Sequence, residues 1–225
     1  MKLNFNVKGS MRDHVYQTLR ANILNLELEP GRSISENEIA EQLEVSRTPV
    51  REAFLKLVQE ELLEVYPQRG TFVSRINLDL VEEGRFMREH MERAVTQLAC
   101  NHFPAEALLS LEANVKLQRL EAIARNNIRL HELDDEFHQT IFQGCKKERI
   151  WNSIQQLNMD FNRLRLLRLQ MNLDWDQIMD HHQLIFEAIR DKDPVQGEQW
   201  MKQHLRLVVV EGDEIKAEHP KFFKS

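Results

Sequence analysis

Glycine and proline are scarce in this chain of 225 residues, seven and six in all, and cysteine is scarcer still, with two. Helix interiors exclude both glycine and proline, so their thinning beyond the N-terminal third predicts long helices there. Two cysteines cannot build a disulfide framework. Cys100 and Cys145 sit in apolar helical sequence and read as reduced thiols, buried or half-buried. No apolar run approaches the ~20 residues that cross a bilayer. The stretch Met1 to Ser10 has two lysines but no apolar signal core, so no secretory signal is expected. These absences argue against a membrane protein and a secreted disulfide scaffold, and a cytoplasmic protein is expected. An excess of positive charge is missing too, since the net charge is −6. Of the 30 Lys/Arg and 36 Asp/Glu, residues 1–75 hold ten and eleven, which leaves twenty and twenty-five for the rest. Attraction to phosphates depends on local clusters and not on the total. Val45 to Lys56 carries Arg47, Arg51 and Lys56 against Glu52 alone. Composition therefore permits DNA binding without suggesting it.

What is present is an ordinary globular mixture, 42% apolar and 29% charged, in a length that fits two domains. The expected fold is mainly α, with a domain over residues 1–75 and another over 76–225, joined near Ser74 to Leu78. Val15, Leu19, Ile23 and Leu26 recur at helical spacing and predict a helix from Ser10 to Leu26. Glu29-Pro30-Gly31 ends it. Ser35 and Glu38 form a capping-box pattern ahead of Ile39, Ala40 and Leu43. Ser46 is the expected N-cap of a third helix, with Pro49 in its first turn and Val50, Phe54 and Leu57 on its buried face. Leu62 to Tyr66, Pro67 to Gly70 and Thr71 to Val73 read as strand, turn and strand. Beyond Asn77, helical periodicity runs to about Glu218. Breaks near Phe103-Pro104, Asn126-Asn127, Gly144, Leu173-Asp174 and Asp193-Pro194 divide it into about six helices. The short loops predict an antiparallel all-helical bundle.

Helix, helix, turn, helix and hairpin within about 65 residues is the layout of a winged helix-turn-helix. The second helix of that motif enters the major groove with its N-terminal residues at the base edges. Here those are Arg47, Thr48 and Arg51, with the two arginines one turn apart. An arginine fork can bond both acceptors of a guanine. The helical half contains a second pattern. Asp134 and His138 are four apart and share a helix face, while His182 and His204 fall on two later helices. Three helices can thus point one carboxylate and three imidazoles into a bundle interior, where metal sites of helical proteins are built. Three nitrogens and one oxygen suit Zn²⁺, Ni²⁺ or Mn²⁺ without fixing which. An Asp and a His at this spacing are also common surface neighbours. His181 is expected to be exposed, and His14, His90, His102, His131 and His219 have no partner at metal spacing. Trp151, Trp175 and Trp200 are expected as core or rim packing, and Met159, Met171, Met179 and Met201 as gap-fillers.

Ser46-Arg47-Thr48-Pro49-Val50-Arg51-Glu52-Ala53-Phe54 through Leu57, preceded by Pro30-Gly31 and followed by Gln68-Arg69-Gly70-Thr71-Phe72-Val73, resembles the GntR family of bacterial repressors. The resemblance implies a homodimer on double-stranded DNA at a short palindromic operator. Arg47 and Arg51 would read bases, and the wing tip at Arg69 and Gly70 would enter the minor groove. Asn37 stands where some members place a base-reading arginine, and Glu61 stands where a glycine usually follows the third helix. The last 140 or so residues resemble the all-helical (FCD-type) effector domain of the FadR subfamily. Members with the Asp, His, His, His pattern bind a metal, and the metal binds a small carboxylate. The resemblance therefore implies one divalent metal per chain on Asp134, His138, His182 and His204, with Zn²⁺ the first choice and Ni²⁺ or Mn²⁺ the alternatives. It also points Arg88 toward the effector cavity, and Arg165 is a second candidate for pairing with an organic acid. The implied function is a DNA-binding transcription regulator, expected to be a repressor, whose operator affinity is controlled by a small organic acid. Two alternatives stay open: a metal-dependent hydrolase with Glu136 or Asp135 as base, or a sensor of the metal ion itself.

Overall fold

The computed structural model describes residues 9–170, 175–210 and 212–224 and divides into two compact units. The first unit contains residues up to Asn77 together with Lys216 onward, and the second runs from Leu78 to Ile215.

In the first unit, α1 spans Met11–Leu24, β1 Ser33–Ile34, α2 Glu36–Gln42, α3 Arg47–Gln59, β2 Leu63–Tyr66 and β3 Gly70–Val73. Ser10 and Asp13 make a reciprocal capping box at the start of α1. This helix ends at Leu24, two residues before the expected stop, and Leu26 takes a left-handed φ of 61°. At α2 only half of the expected box forms. The Ser35 hydroxyl accepts from Glu38 N at 3.1 Å, but the Glu38 carboxylate turns to Arg32 at 3.0 Å. Ser46 occupies the N-cap position of α3 without a side-chain capping bond. Val15, Leu19 and Ile23 of α1 and Val50, Phe54 and Leu57 of α3 are buried, and the two helices pack together.

The wing is a three-stranded antiparallel sheet in the order β1-β3-β2, one short strand more than the expected hairpin. Ser33 pairs with Phe72, and Leu63 pairs with Val73. At the tip, Pro67 is followed by Gln68 at φ 60°, and Arg69 N donates to Tyr66 O at 3.0 Å, which fits a type II turn. Glu61, in the position that glycine usually takes, has φ 59° and so adopts the left-handed conformation without a glycine.

The last residues correct the expected domain boundary. A 3-10 turn, Pro220–Phe222, brings Phe223 into a parallel bridge with Ile76. Ile76 N donates to Phe222 O at 2.8 Å, Lys224 N donates to Ile76 O at 2.9 Å, and Phe222 and Phe223 are buried. Two adjacent aromatic side chains cannot be left in water cheaply, so the chain's end folds with the N-terminal unit.

The second unit is helical throughout its described residues: α4 Leu78–Asn101, α5 Ala105–Ile123, α6 Asn127–Gly144, α7 Glu148–Leu157, α8 Met159–Gln170, α9 Asp176–Arg190, α10 Pro194–Val210 and the start of α11, Gly212–Glu218. Four expected breaks mark helix ends. Pro104 precedes α5, Asn126 caps α6, Gly144 closes α6, and the Asp193 carboxylate accepts from the first amides of α10. The Leu173-Asp174 break and Met171 lie outside the described residues. The expected count of about six helices was low chiefly because a buried Asn158 ends α7 and α8 starts at the next residue, with no proline or glycine to mark it. The core gathers Val95, Phe137, Phe142, Trp151, Ile185 and Leu205 from five helices. Cys100 is buried and Cys145 half-buried, both free. No helix among the described residues is long and apolar enough to cross a membrane.

Candidate DNA-reading surface and metal centre

Helices α2 and α3 with the turn between them form a helix-turn-helix. On α3, Val50, Ala53, Phe54 and Leu57 are buried, which turns Arg47, Thr48 and Arg51 outward. The first two open the helix, and Arg51 follows one turn later. Arg47 reaches back to Glu36 of α2 at 3.4 Å, yet its side chain stays 66% exposed, so this ion pair is a weak restraint. Asn37 is exposed on α2. Arg69 is exposed at the wing tip with its guanidinium 5.8 Å from the centre of the Tyr66 ring, and Gly70 beside it takes a φ of 105° that only glycine adopts readily.

In the second unit α6 supplies Asp134 and His138, α9 supplies His182 and α10 supplies His204. One ligand atom from each lies within 4.8 Å of the others, and all four residues are buried. The helical repeat explains the local part, since Leu130, Leu133, Asp134, Phe137, His138 and Ile141 share the inward face of α6. The His138 and His204 Nε2 atoms are 3.1 Å apart. His182 Nε2 lies 3.4 Å from Asp134 Oδ1 yet has no hydrogen-bond partner among the described residues. A buried ring nitrogen left without a partner is costly, and a cation held between it and the carboxylate would satisfy both. The donor set therefore fits a divalent metal.

Electrostatics agree. Burial would raise the Asp134 carboxyl, but Arg165 and the three imidazoles outweigh it and hold the group well below the usual range. Burial pushes the His182 imidazole down to about 3, and it lowers His204 as well. Neutral imidazoles are the form that ligates a metal.

Beside the cluster is a small cavity of about 20 Å³, room for about one water. Its lining includes Arg88, His131, Asp134, Arg165, Arg168 and His204. Both arginines singled out from the sequence are there, and neither is a surface residue. Arg88 is 2% exposed, pairs with Glu92 and lies over the Trp151 and Phe161 rings, while its Nη2 has no hydrogen-bond partner among the described residues. Arg165 is buried across two acids of α6, pairing with Asp134 and, at 2.8 Å, with Asp135. One expectation for a histidine needs correction. His181 is buried, its ring 5.6 Å from that of Trp200, because α9 is covered on both flanks. His131 reaches the cavity, one turn before Asp134, and burial drives its imidazole down to about 4.

Sequence reasoning also passed over Glu92, Asn114 and Gln118. The Glu92 carboxylate meets His138 Nδ1, and Gln118 meets His182 Nδ1 at 2.8 Å. A signal existed for the two amides: they alternate with Leu111 and Val115 on the buried face of α5. Polar side chains at core positions need partners.

Residues 11–73 match the gntR family of bacterial regulatory proteins, and residues 85–207 match the FCD domain. The chain is 31% identical over 224 residues to the HTH-type transcriptional repressor RspR of Escherichia coli (strain K12), covering 99% of this chain and 98% of that protein. It is 28% identical to the gluconate operon transcriptional repressor of Bacillus subtilis (strain 168), over 83% of this chain and 78% of that one. In fold it is similar to E. coli McbR/YncC, with a TM-score of 0.77 at 19% identity over 92% of this chain and 98% of the other. A GntR regulator from Rhodococcus sp. RHA1 gives a TM-score of 0.71 at 22% identity, over 92% and 99%. The two sequence relatives are named as repressors of transcription. The chain belongs to the GntR family, as a DNA-binding transcription regulator whose helical unit is an FCD effector-binding domain.

Proposed function

We propose that this regulator is a cytoplasmic homodimeric repressor of the FadR type whose hold on a short palindromic operator is set by a small carboxylate metabolite bound beside a metal in the FCD domain. The observation that carries this reading is the buried Asp134, His138, His182 and His204 cluster opening on a cavity lined by Arg88 and Arg165. A divalent ion held by these four residues, Zn²⁺ first and Ni²⁺ or Mn²⁺ otherwise, would supply open positions able to accept a carboxylate oxygen. The protein's own side chains do the rest. Arg88 offers the guanidinium edge that lacks a hydrogen-bond partner among the described residues. Arg165 can exchange part of its pairing with Asp134 and Asp135 for a ligand carboxylate. Space for about one water means that an organic acid enters only if the lining moves. That movement supplies the unequal affinity for two states without which a ligand shifts nothing. Arg47, Thr48 and Arg51, with Asn37 on α2 and the Arg69-Gly70 tip in the minor groove, would form the operator-reading surface.

Protein purified without chelator or a nickel column should carry about one divalent ion per chain, lost in the double variant His138→Ala, His204→Ala. A screen of small organic acids by thermal shift and by operator binding should then find one that raises the melting temperature and changes operator affinity. Metal-free native protein, or operator binding that follows chelator but no organic acid, would overturn the carboxylate-sensing reading.

A further inference from the structure

We infer that Gln118 and Asn114 are positioning residues that fix the tautomer of His182 and so aim a bare Nε2 lone pair at the metal cluster. The inference rests on the metal reading above and adds to it residues from a helix that supplies no ligand.

Three hydrogen bonds in series fix the direction. Asn114 Nδ2 is 3.0 Å from Leu133 O, a backbone carbonyl on α6 that can only accept. The Asn114 atom facing it must therefore be the amide NH₂, and the Asn114 oxygen is left for its other neighbour. That neighbour is Gln118, 2.7 Å away. An oxygen of Asn114 needs a donor, so Gln118 presents its NH₂ there and its own oxygen faces the other way. The Gln118 Oε1 atom lies 2.8 Å from His182 Nδ1. A carbonyl oxygen accepts only, so Nδ1 carries the hydrogen. A neutral imidazole has one N–H, and Nε2 is consequently a lone pair. That nitrogen is the one lacking a hydrogen-bond partner among the described residues, 3.4 Å from Asp134 Oδ1.

Each link is buried, Asn114 at 6%, Gln118 at 2% and His182 at 0% exposure, so water does not compete for the bonds. The relay begins at the carbonyl of the residue just before Asp134 and ends on His182. It thus ties the carboxylate's helix to the imidazole's helix through α5. Outer partners of this kind typically alter metal affinity 10- to 100-fold when removed.

The test uses full-length protein labelled with ¹⁵N-histidine, together with Zn²⁺ competition against a chromophoric chelator. Wild-type protein stripped of metal should show His182 as the Nδ1–H tautomer in two-bond ¹H–¹⁵N spectra. Gln118→Leu should lose that signature and bind Zn²⁺ about 10- to 100-fold more weakly. Gln118→Glu keeps an acceptor oxygen facing Nδ1 but offers Asn114 Oδ1 no donor, so it should keep the Nδ1–H tautomer and bind Zn²⁺ with an affinity between those of the wild type and Gln118→Leu. An Nε2–H tautomer in the wild type, or equal Zn²⁺ affinity in Gln118→Leu, overturns the relay. If Gln118→Leu does not fold, the wild-type spectrum and Gln118→Glu still decide. Wild-type protein that shows the Nδ1–H tautomer but binds none of Zn²⁺, Ni²⁺ and Mn²⁺ would support the tautomer relay while overturning the metal reading.

Discussion

At pH 7 the imidazoles of His131 and His182 are neutral because burial denies water to the charged form. Their pKa values fall to about 4 and about 3, from about 6.5 in the unfolded chain. A lowered histidine pKa means that the unfolded state takes up protons first, so stability is full above pH 6.5 and is lost as pH falls toward 4. The Asp134 carboxyl, held low by Arg165 and its histidine neighbours, adds a loss of the same sign at still lower pH. Metal-stripped protein should therefore show a melting temperature that drops steadily between pH 6.5 and 4, with a smaller drop in His131→Asn. A flat profile over that window would mean that these rings are charged or hydrated in the fold. At the DNA surface, Arg51 is exposed and turned outward by the buried Val50 and Phe54. Arg51→Ala should cost about 1–3 kcal/mol of operator affinity and leave the melting temperature within a degree or two. Fluorescence anisotropy on operator and scrambled DNA separates base reading from phosphate attraction. Equal losses on both would remove the base-reading role.

At the scale of elements, the position of α10 matters most to the cluster, because it carries His204 and packs on both α4 and α9. Gly197 allows the approach. A Cβ there would be 2.7 Å from Cys100 Sγ and 3.1 Å from Thr96 Cγ2, both on buried residues of α4. Gly197→Val should destabilise the protein by about 1–3 kcal/mol and weaken retention of metal, because His204 lies two turns further along the same helix. Denaturant melts with metal analysis check both effects, and an unchanged midpoint would show that α4 and α10 have room to spare. Helix existence was plain in the sequence wherever a cap or breaker stood. Pro104, Asn126 and Asp193 each mark a start that the structure keeps. Asn158 was invisible, because the residue that ends α7 is an ordinary polar one. The short β1 was equally hidden, since two residues carry no period and pair only because β3 is beside them.

At the scale of the whole molecule, the chain crosses between its two units twice. It leaves the first unit after Asn77 and returns to it within α11. The returning segment is held by Phe222 and Phe223, by the bridge at Ile76, and by Lys224, whose Nζ is 2.8 Å from Glu64. The DNA-binding unit therefore includes residues that follow the effector domain in sequence. Phe223→Ala should cost about 3 kcal/mol of local stability, the lower end for a buried phenylalanine. Hydrogen exchange read by mass spectrometry should show protection lost across residues 9–77 and kept in α5 and α6. Unaltered protection in the first unit would make the tail an ornament of the fold and not a part of it.

The sequence alone determined what depends on neighbours along the chain: the helices wherever a breaker or cap residue stood, the helix-turn-helix with Arg47, Thr48 and Arg51 on its outer face, and the placing of Asp134 and His138 on one side of α6. It also contained the four members of the candidate metal cluster, although their spacing did not distinguish a site from four satisfied residues. Only the tertiary structure decided that His182 and His204 come within 4.8 Å of that pair, that Arg165 already engages Asp134, and that Gln118 and Asn114 stand behind His182. The reason is physical. Periodicity reports which face of a helix is buried, whereas the rotation and offset of one helix against another depend on packing between residues far apart in the chain.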